Sequence, residues 1–80
     1  MTQLTKRAAK DLSNLPSQFA GKATELIRRL GSEPALGKKL KAPLDGKRSA
    51  RLGRSHRIIY TIQGSDIIVV TVLDRKDAYR

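Results

Sequence analysis

The stretch RSARLGRSHRIIY, residues 48–60, sets an arginine at every third position (Arg48, Arg51, Arg54, Arg57) and places the chain's single histidine, His56, beside the last of them. A spacing of three suggests a stripe along a helix, but the apolar residues follow another period. From Arg57 onward the even positions Ile58, Tyr60 and Ile62 are apolar, whereas the odd ones are Arg57, Ile59 and Thr61. Period two with β-branched residues is the pattern of a strand. An earlier strand, roughly 48–52, then sets Ala50 and Leu52 against Ser49 and Arg51, with Gly53-Arg54-Ser55 as the turn. On strands the arginines divide: Arg51 and Arg57 share the open face, Arg54 sits in the turn, and Arg48 falls on the other parity.

Downstream, DIIVVTVL (66–73) reads as a further strand, joined to the previous one through Gln63-Gly64-Ser65. Its alternation separates Ile68, Val70 and Val72 from Ile67, Val69, Thr71 and Leu73, with Arg75 continuing the second series. Each strand therefore offers one wholly apolar face to a packing layer and one mixed face. The mixed faces can carry Arg51, Arg57 and, past the strand end, Arg75.

Upstream the period is helical. Residues 5–14 read as a first helix with Thr5 as N-cap and Leu4, Ala8, Leu12 and Leu15 in phase. Pro16 suits the first turn of a second helix whose stripe is Phe19, Ala23, Leu26, Ile27 and Leu30, with Gly31 as its stop. An αα-hairpin packed on one face of a small twisted, mostly antiparallel sheet follows, an α/β (α+β) architecture in a single domain over residues 1–80. GSEPALGKKLKAPLDG (31–46) holds two prolines and three glycines and reads as an extended connection rather than an element.

Eighty residues with 39% hydrophobic content can build one modest core, and covering apolar surface with a partner would help such a domain. With no cysteine, a disulfide framework and a thiolate metal site are excluded. One histidine and seven scattered acids give poor support to a metal centre, so no metal and no cofactor are expected. No apolar run is long enough to span a bilayer and none resembles a signal peptide, so the expected location is the cytoplasm. Seventeen Lys and Arg against seven Asp and Glu leave a net charge of +10, and eight of the cations lie between Lys38 and Arg57 with one acid, Asp45. A polyanion, most often nucleic acid, is the usual match, although anionic membranes, an acidic protein or plain solvation satisfy the same charge.

The order of elements and the segments TKRAAKDLSNLP, GKKLKAPLDG, RSARLGRSHRIIY and DRKDAYR resemble the RelE/ParE superfamily of bacterial toxins, especially its RelE and YoeB branch. The resemblance covers most of the chain. It implies the toxin half of a type II toxin–antitoxin pair, a ribosome-dependent endoribonuclease that cuts mRNA in the ribosomal A site without a metal. It also implies an acidic cognate antitoxin as partner. Three positions depart from the family pattern: only MTQL precedes Thr5, so the usual first strand is short or missing; Asp74 stands where a basic or small residue is common; and Lys47 replaces a large apolar residue.

Metal-free RNA cleavage requires removal of the 2′-OH proton, stabilisation of charge on the phosphate, and protonation of the leaving 5′-oxygen. Arginine suits the second task because its planar guanidinium grips phosphate oxygens in pairs and keeps its charge. Arg51, Arg57 and Arg75 are the candidates, and Tyr79 resembles the family's C-terminal tyrosine, whose phenolate clustered arginines would favour. His56 is a candidate acid or base by residue type, but its parity sets it opposite Arg57, and a structural hydrogen bond at a turn is the competing assignment. Tyr60 falls with the core. Lys38, Lys39, Lys41, Lys47, Arg48 and Arg54 fit a backbone footprint on RNA. Two competing functions stay open: an inhibitor of DNA gyrase, as in the ParE branch, and a catalytically degenerate RNA-binding module.

Overall fold

The computed structural model describes residues 2–41 and 46–74. In chain order these form β1 (Thr2–Leu4), α1 (Lys6–Ser13), α2 (Ser17–Ser32), a 3-10 turn (Pro34–Leu36), β2 (Lys38–Lys39), β3 (Arg48–Leu52), β4 (His56–Gln63) and β5 (Asp66–Asp74). The five strands make one sheet in the order β1-β5-β4-β3-β2, in which only the β1–β5 pair is parallel. The two helices pack on one face, as the sequence pattern requires of two amphipathic helices and strands with a single apolar side.

Both helix starts follow from local chemistry. The Thr5 hydroxyl accepts from the Ala8 amide at 3.1 Å and caps α1. Pro16 stands just before α2 as its cap, one position earlier than the first-turn site expected for it. Gly31 does not stop α2: the helix runs through it to Ser32, and the Glu33 amide donates to the Arg29 carbonyl. The connection after α2 also holds more structure than its prolines and glycines suggest, namely the 3-10 turn and the two-residue strand β2.

The core joins Ala8, Ala23 and Leu30 from the helices to Ala50, Leu52, Ile58, Tyr60, Ile67, Val69 and Val72 from the sheet. In β3 and in β4 through Tyr60 the even-numbered apolar residues are buried as expected, but Ser49 and Ile59 of the opposite face are buried as well, and Ile62, near the hairpin turn, is exposed. In β5 the expected face of Ile68, Val70 and Val72 is overturned. Ile59 pairs with Thr71 while the next residue, Tyr60, pairs with Val69, so Val70 is an unopposed extra residue. This bulge shifts the inward set from Ile67 and Val69 to Val72.

The bulge lies where β5 runs out of partner. β1 pairs with β5 only as far as Val69, and beyond it α1 covers the edge. The Thr5 hydroxyl donates to the Val70 carbonyl at 2.6 Å, and Asp11 Oδ2 accepts from the Val72 amide at 3.1 Å and from the Thr71 hydroxyl at 2.6 Å. A helix side chain thus does the work of a missing strand. The short N-terminal strand is present, but it is three residues long.

Candidate functional site

β3 and β4 set Arg51 directly opposite Arg57, with Ala50 opposite Ile58 and Leu52 opposite His56 in the adjacent rows. Of the even-numbered members of these rows, Ala50, Leu52 and Ile58 are buried under the helices and His56 is half-buried, so the two arginines stand on the face away from them, as the alternation in RSARLGRSHRIIY requires. Arg51 is exposed and Arg57 half-buried. Arg57 Nη1 donates at 3.4 Å to the hydroxyl of Ser49, a buried residue two rows away on β3, which draws the guanidinium across toward that strand.

Around this pair lies an open cleft of about 430 Å³ that reaches the outer edge of β3. Arg51, Arg57 and Ser49 line one side, Lys38 of β2 and Leu36 another, and Leu26 and Arg29 of α2 the third. None of its described lining residues is acidic. Like charges directly opposed on a sheet repel one another, and each further cation at the cleft adds to that repulsion. Such an arrangement suits a bound polyanion, and guanidinium pairs suit its phosphates.

Lys38 is delivered to the cleft by a buried network that residue patterning did not reveal. The Tyr60 hydroxyl donates to the Pro34 carbonyl at 2.8 Å and accepts from the Gly37 amide at 2.8 Å, while Arg48 Nη1 donates to the Gly37 carbonyl at 2.8 Å. Tyr60 is therefore a core residue, as its parity indicates, with a polar end that fixes the connection before β2. Gly37 has no room for a side chain, since a Cβ there would come 2.6 Å from the Tyr60 oxygen. Arg48 acts in this network and sits on the parity away from Arg51 and Arg57.

His56 stands apart from the arginines. Its ring packs on Phe19 of α2, with centroids 4.9 Å apart, and its Nδ1 shares a 2.8 Å hydrogen bond with the Ser55 hydroxyl. That is the structural placement its strand position implies. Lys39 and Lys41 are exposed, Lys47 is half-buried and Arg54 is exposed at the β3–β4 turn, where Gly53 adopts a positive φ of 63°. Arg75 and Tyr79 lie outside the described residues. Among the described residues no group of three His, Cys, Asp or Glu side chains is placed to hold a metal, and no helix is long and apolar enough to cross a membrane.

Comparison with known proteins matches this arrangement to one family. The profile described as "ParE toxin of type II toxin-antitoxin system, parDE" matches residues 2–79. Toxin RelE of Mycobacterium tuberculosis is 32% identical over 81 residues, covering 96% of this chain and 82% of that protein. The fold superposes on the RelBE2 toxin–antitoxin complex of M. tuberculosis with a TM-score of 0.85 and 30% identity, covering 94% of this chain and 96% of the other. On the RelB–RelE complex of Methanococcus jannaschii the TM-score is 0.78 and the identity 26%, over 96% of this chain and 94% of the other. The sheet order, the helix pair and the sequence match over residues 2–79 agree: the chain belongs to the RelE/ParE superfamily of type II toxin–antitoxin toxins.

Proposed function

We propose that this toxin is a ribosome-dependent endoribonuclease of the RelE type, cutting mRNA in the A site and neutralised by an acidic cognate antitoxin. The observation that carries the reading is the Arg51–Arg57 pair, opposed across β3 and β4 in a cleft lined by two further cations. In the reaction the ribose 2′-oxygen loses its proton and forms a bond to phosphorus, the bond from phosphorus to the 5′-oxygen breaks, and that oxygen takes up a proton. Arg51 and Arg57 hold the non-bridging phosphate oxygens and stabilise the charge that builds there. Arg75 and Tyr79 stay in the proposal on resemblance alone, Arg75 as a third phosphate ligand and Tyr79 as a group that bonds the reacting sugar or stacks on a base. No metal is required for these steps.

The antitoxin proposal is supported by the relatives solved with their RelB partners and by the +10 charge, which an acidic chain would offset. Lys39, Lys41, Lys47 and Arg54 are assigned to the backbone footprint that docks the domain on ribosome-bound RNA.

The test adds purified protein to ribosomes programmed with a defined message and, in parallel, to a DNA gyrase supercoiling assay. Cleavage within the A-site codon with unimpaired gyrase is expected. Intact message with blocked supercoiling would instead identify a ParE-type gyrase inhibitor, and RNA binding with neither effect a degenerate module.

A further inference from the structure

We infer that the cleft between α2 and the outer edge of β3 is a nucleotide subsite, in which Arg29 and Lys38 hold the RNA phosphates that flank the scissile one. The inference rests on the endoribonuclease reading above and extends it to α2, on which Arg29 is exposed.

Three observations point to a single strand of RNA here. First, Arg29 and Lys38 line the same cleft as Arg51 and Arg57, so an RNA strand whose scissile phosphate meets the arginine pair brings its neighbouring phosphates past them. Second, Leu26 and the exposed Leu36 give this cleft an apolar ledge between the cations, against which a nucleobase face can lie. Third, the cleft continues along α2 into a groove sharing Leu26, Arg29 and Arg51 and running past Lys22 and Gly21 to Gly53. Nothing stands within 4 Å of a Cβ at Gly21, so the groove is open to solvent at this point.

The nearby acids are tied to arginines. Glu25, which lines the groove, accepts from Arg28 at 2.8 Å, and Glu33, outside the lining of the cleft, forms an exposed ion pair with Arg29 at 3.5 Å, a weak contact that a phosphate on Arg29 has to displace. Lys38 is placed by rigid backbone, since Gly37 is gripped by Tyr60 and Arg48 and Lys38 itself pairs with Ser49. β2 pairs with β3 only at Arg48 and Ser49, so among the described residues no strand closes the cleft along Ala50 to Leu52.

The test uses the full-length protein with a short single-stranded RNA made uncleavable by 2′-O-methylation, together with ribosome-bound message. Arg29→Ala and Lys38→Ala are each expected to weaken binding of the methylated RNA about tenfold, the size of one charge-assisted contact. Each should also make the slope of log affinity against log salt shallower by about 0.7. Arg29→Lys should stay within about threefold, and Lys10→Ala, which removes a charge from α1 at the opposite edge of the sheet, within about twofold. On ribosomes the half-saturating concentration should rise by the same factor, with turnover at saturation unchanged.

Binding by the Arg29 and Lys38 variants that matches Lys10→Ala would overturn the subsite. So would unchanged RNA affinity with weakened binding of poly-glutamate, which would assign the cleft to an acidic protein segment. A loss of saturated turnover at unchanged affinity would overturn it as well, by moving Arg29 into the chemistry. Wild-type protein that leaves ribosomal message intact while the methylated RNA follows the expected pattern would sink the endoribonuclease reading and support the subsite.

Discussion

Arg51 and Arg57 face each other across the β3–β4 hairpin in direct register, two positive charges on the sheet face turned away from the helices. Like charges so placed are mutually destabilising by roughly 0.2–1 kcal/mol. A phosphate between them reverses the sign of that interaction. Replacing Arg51 by Thr should therefore raise the urea midpoint slightly and lower cleavage of ribosome-bound message about 10²-fold or more, the scale of losing one preorganised contact to developing charge. A variant that gains no stability and keeps full cleavage would show the pair to be a surface feature.

Asp11 is expected to matter for folding and not for chemistry. Its carboxylate satisfies the Val72 amide and the Thr71 hydroxyl where β5 lacks a partner strand. Asp11→Ala leaves both donors without an acceptor and should cost about 1–3 kcal/mol in chemical denaturation. An unchanged midpoint would mean that the bulge holds without α1.

Tyr60→Phe removes the hydroxyl that joins Gly37 and Pro34 to the sheet. A loss of about 1–3 kcal/mol is expected from the two groups left unpaired. Gly37→Ala should be at least as harmful, because the added methyl meets the Tyr60 oxygen and the Ser49 carbonyl. Amide exchange at Gly37 gives a local readout, and protection equal to wild type in Tyr60→Phe would refute the network.

His56→Ala should lower stability by about 1 kcal/mol through the lost ring contact with Phe19 and the lost bond to Ser55, while turnover stays within a few-fold of wild type. A collapse of turnover with an intact fold would restore His56 as an acid or base.

Strands β3, β4 and β5, the helix pair and the separation of Arg51 and Arg57 from His56 were legible in the sequence, because alternation of apolar residues assigns faces wherever the register is regular. β5 defeated the same logic. A single extra residue at Val70 inverts parity, and its cause, the end of β1 with Asp11 arriving from a helix some sixty residues away, leaves no local mark. β2 and the Gly37–Tyr60 contact were hidden for a similar reason: prolines and glycines signal a connection, whereas the hydrogen bonds that order it come from Tyr60 and Arg48. Arg29 escaped notice because its place in the cleft depends on how α2 crosses the edge of the sheet.

In the proposed reaction the Arg51–Arg57 pair promotes 2′-OH attack on a ribosome-bound message. Its most direct test is end-group analysis of the RNA fragments released from programmed ribosomes by wild-type protein and by Arg57→Ala at equal, saturating concentration. The expected result is a 2′,3′-cyclic phosphate on the upstream fragment and a 5′-hydroxyl on the downstream one, with Arg57→Ala slower by about 10²–10³-fold. Fragments ending in a 5′-phosphate, or an Arg57→Ala rate equal to wild type, would contradict it.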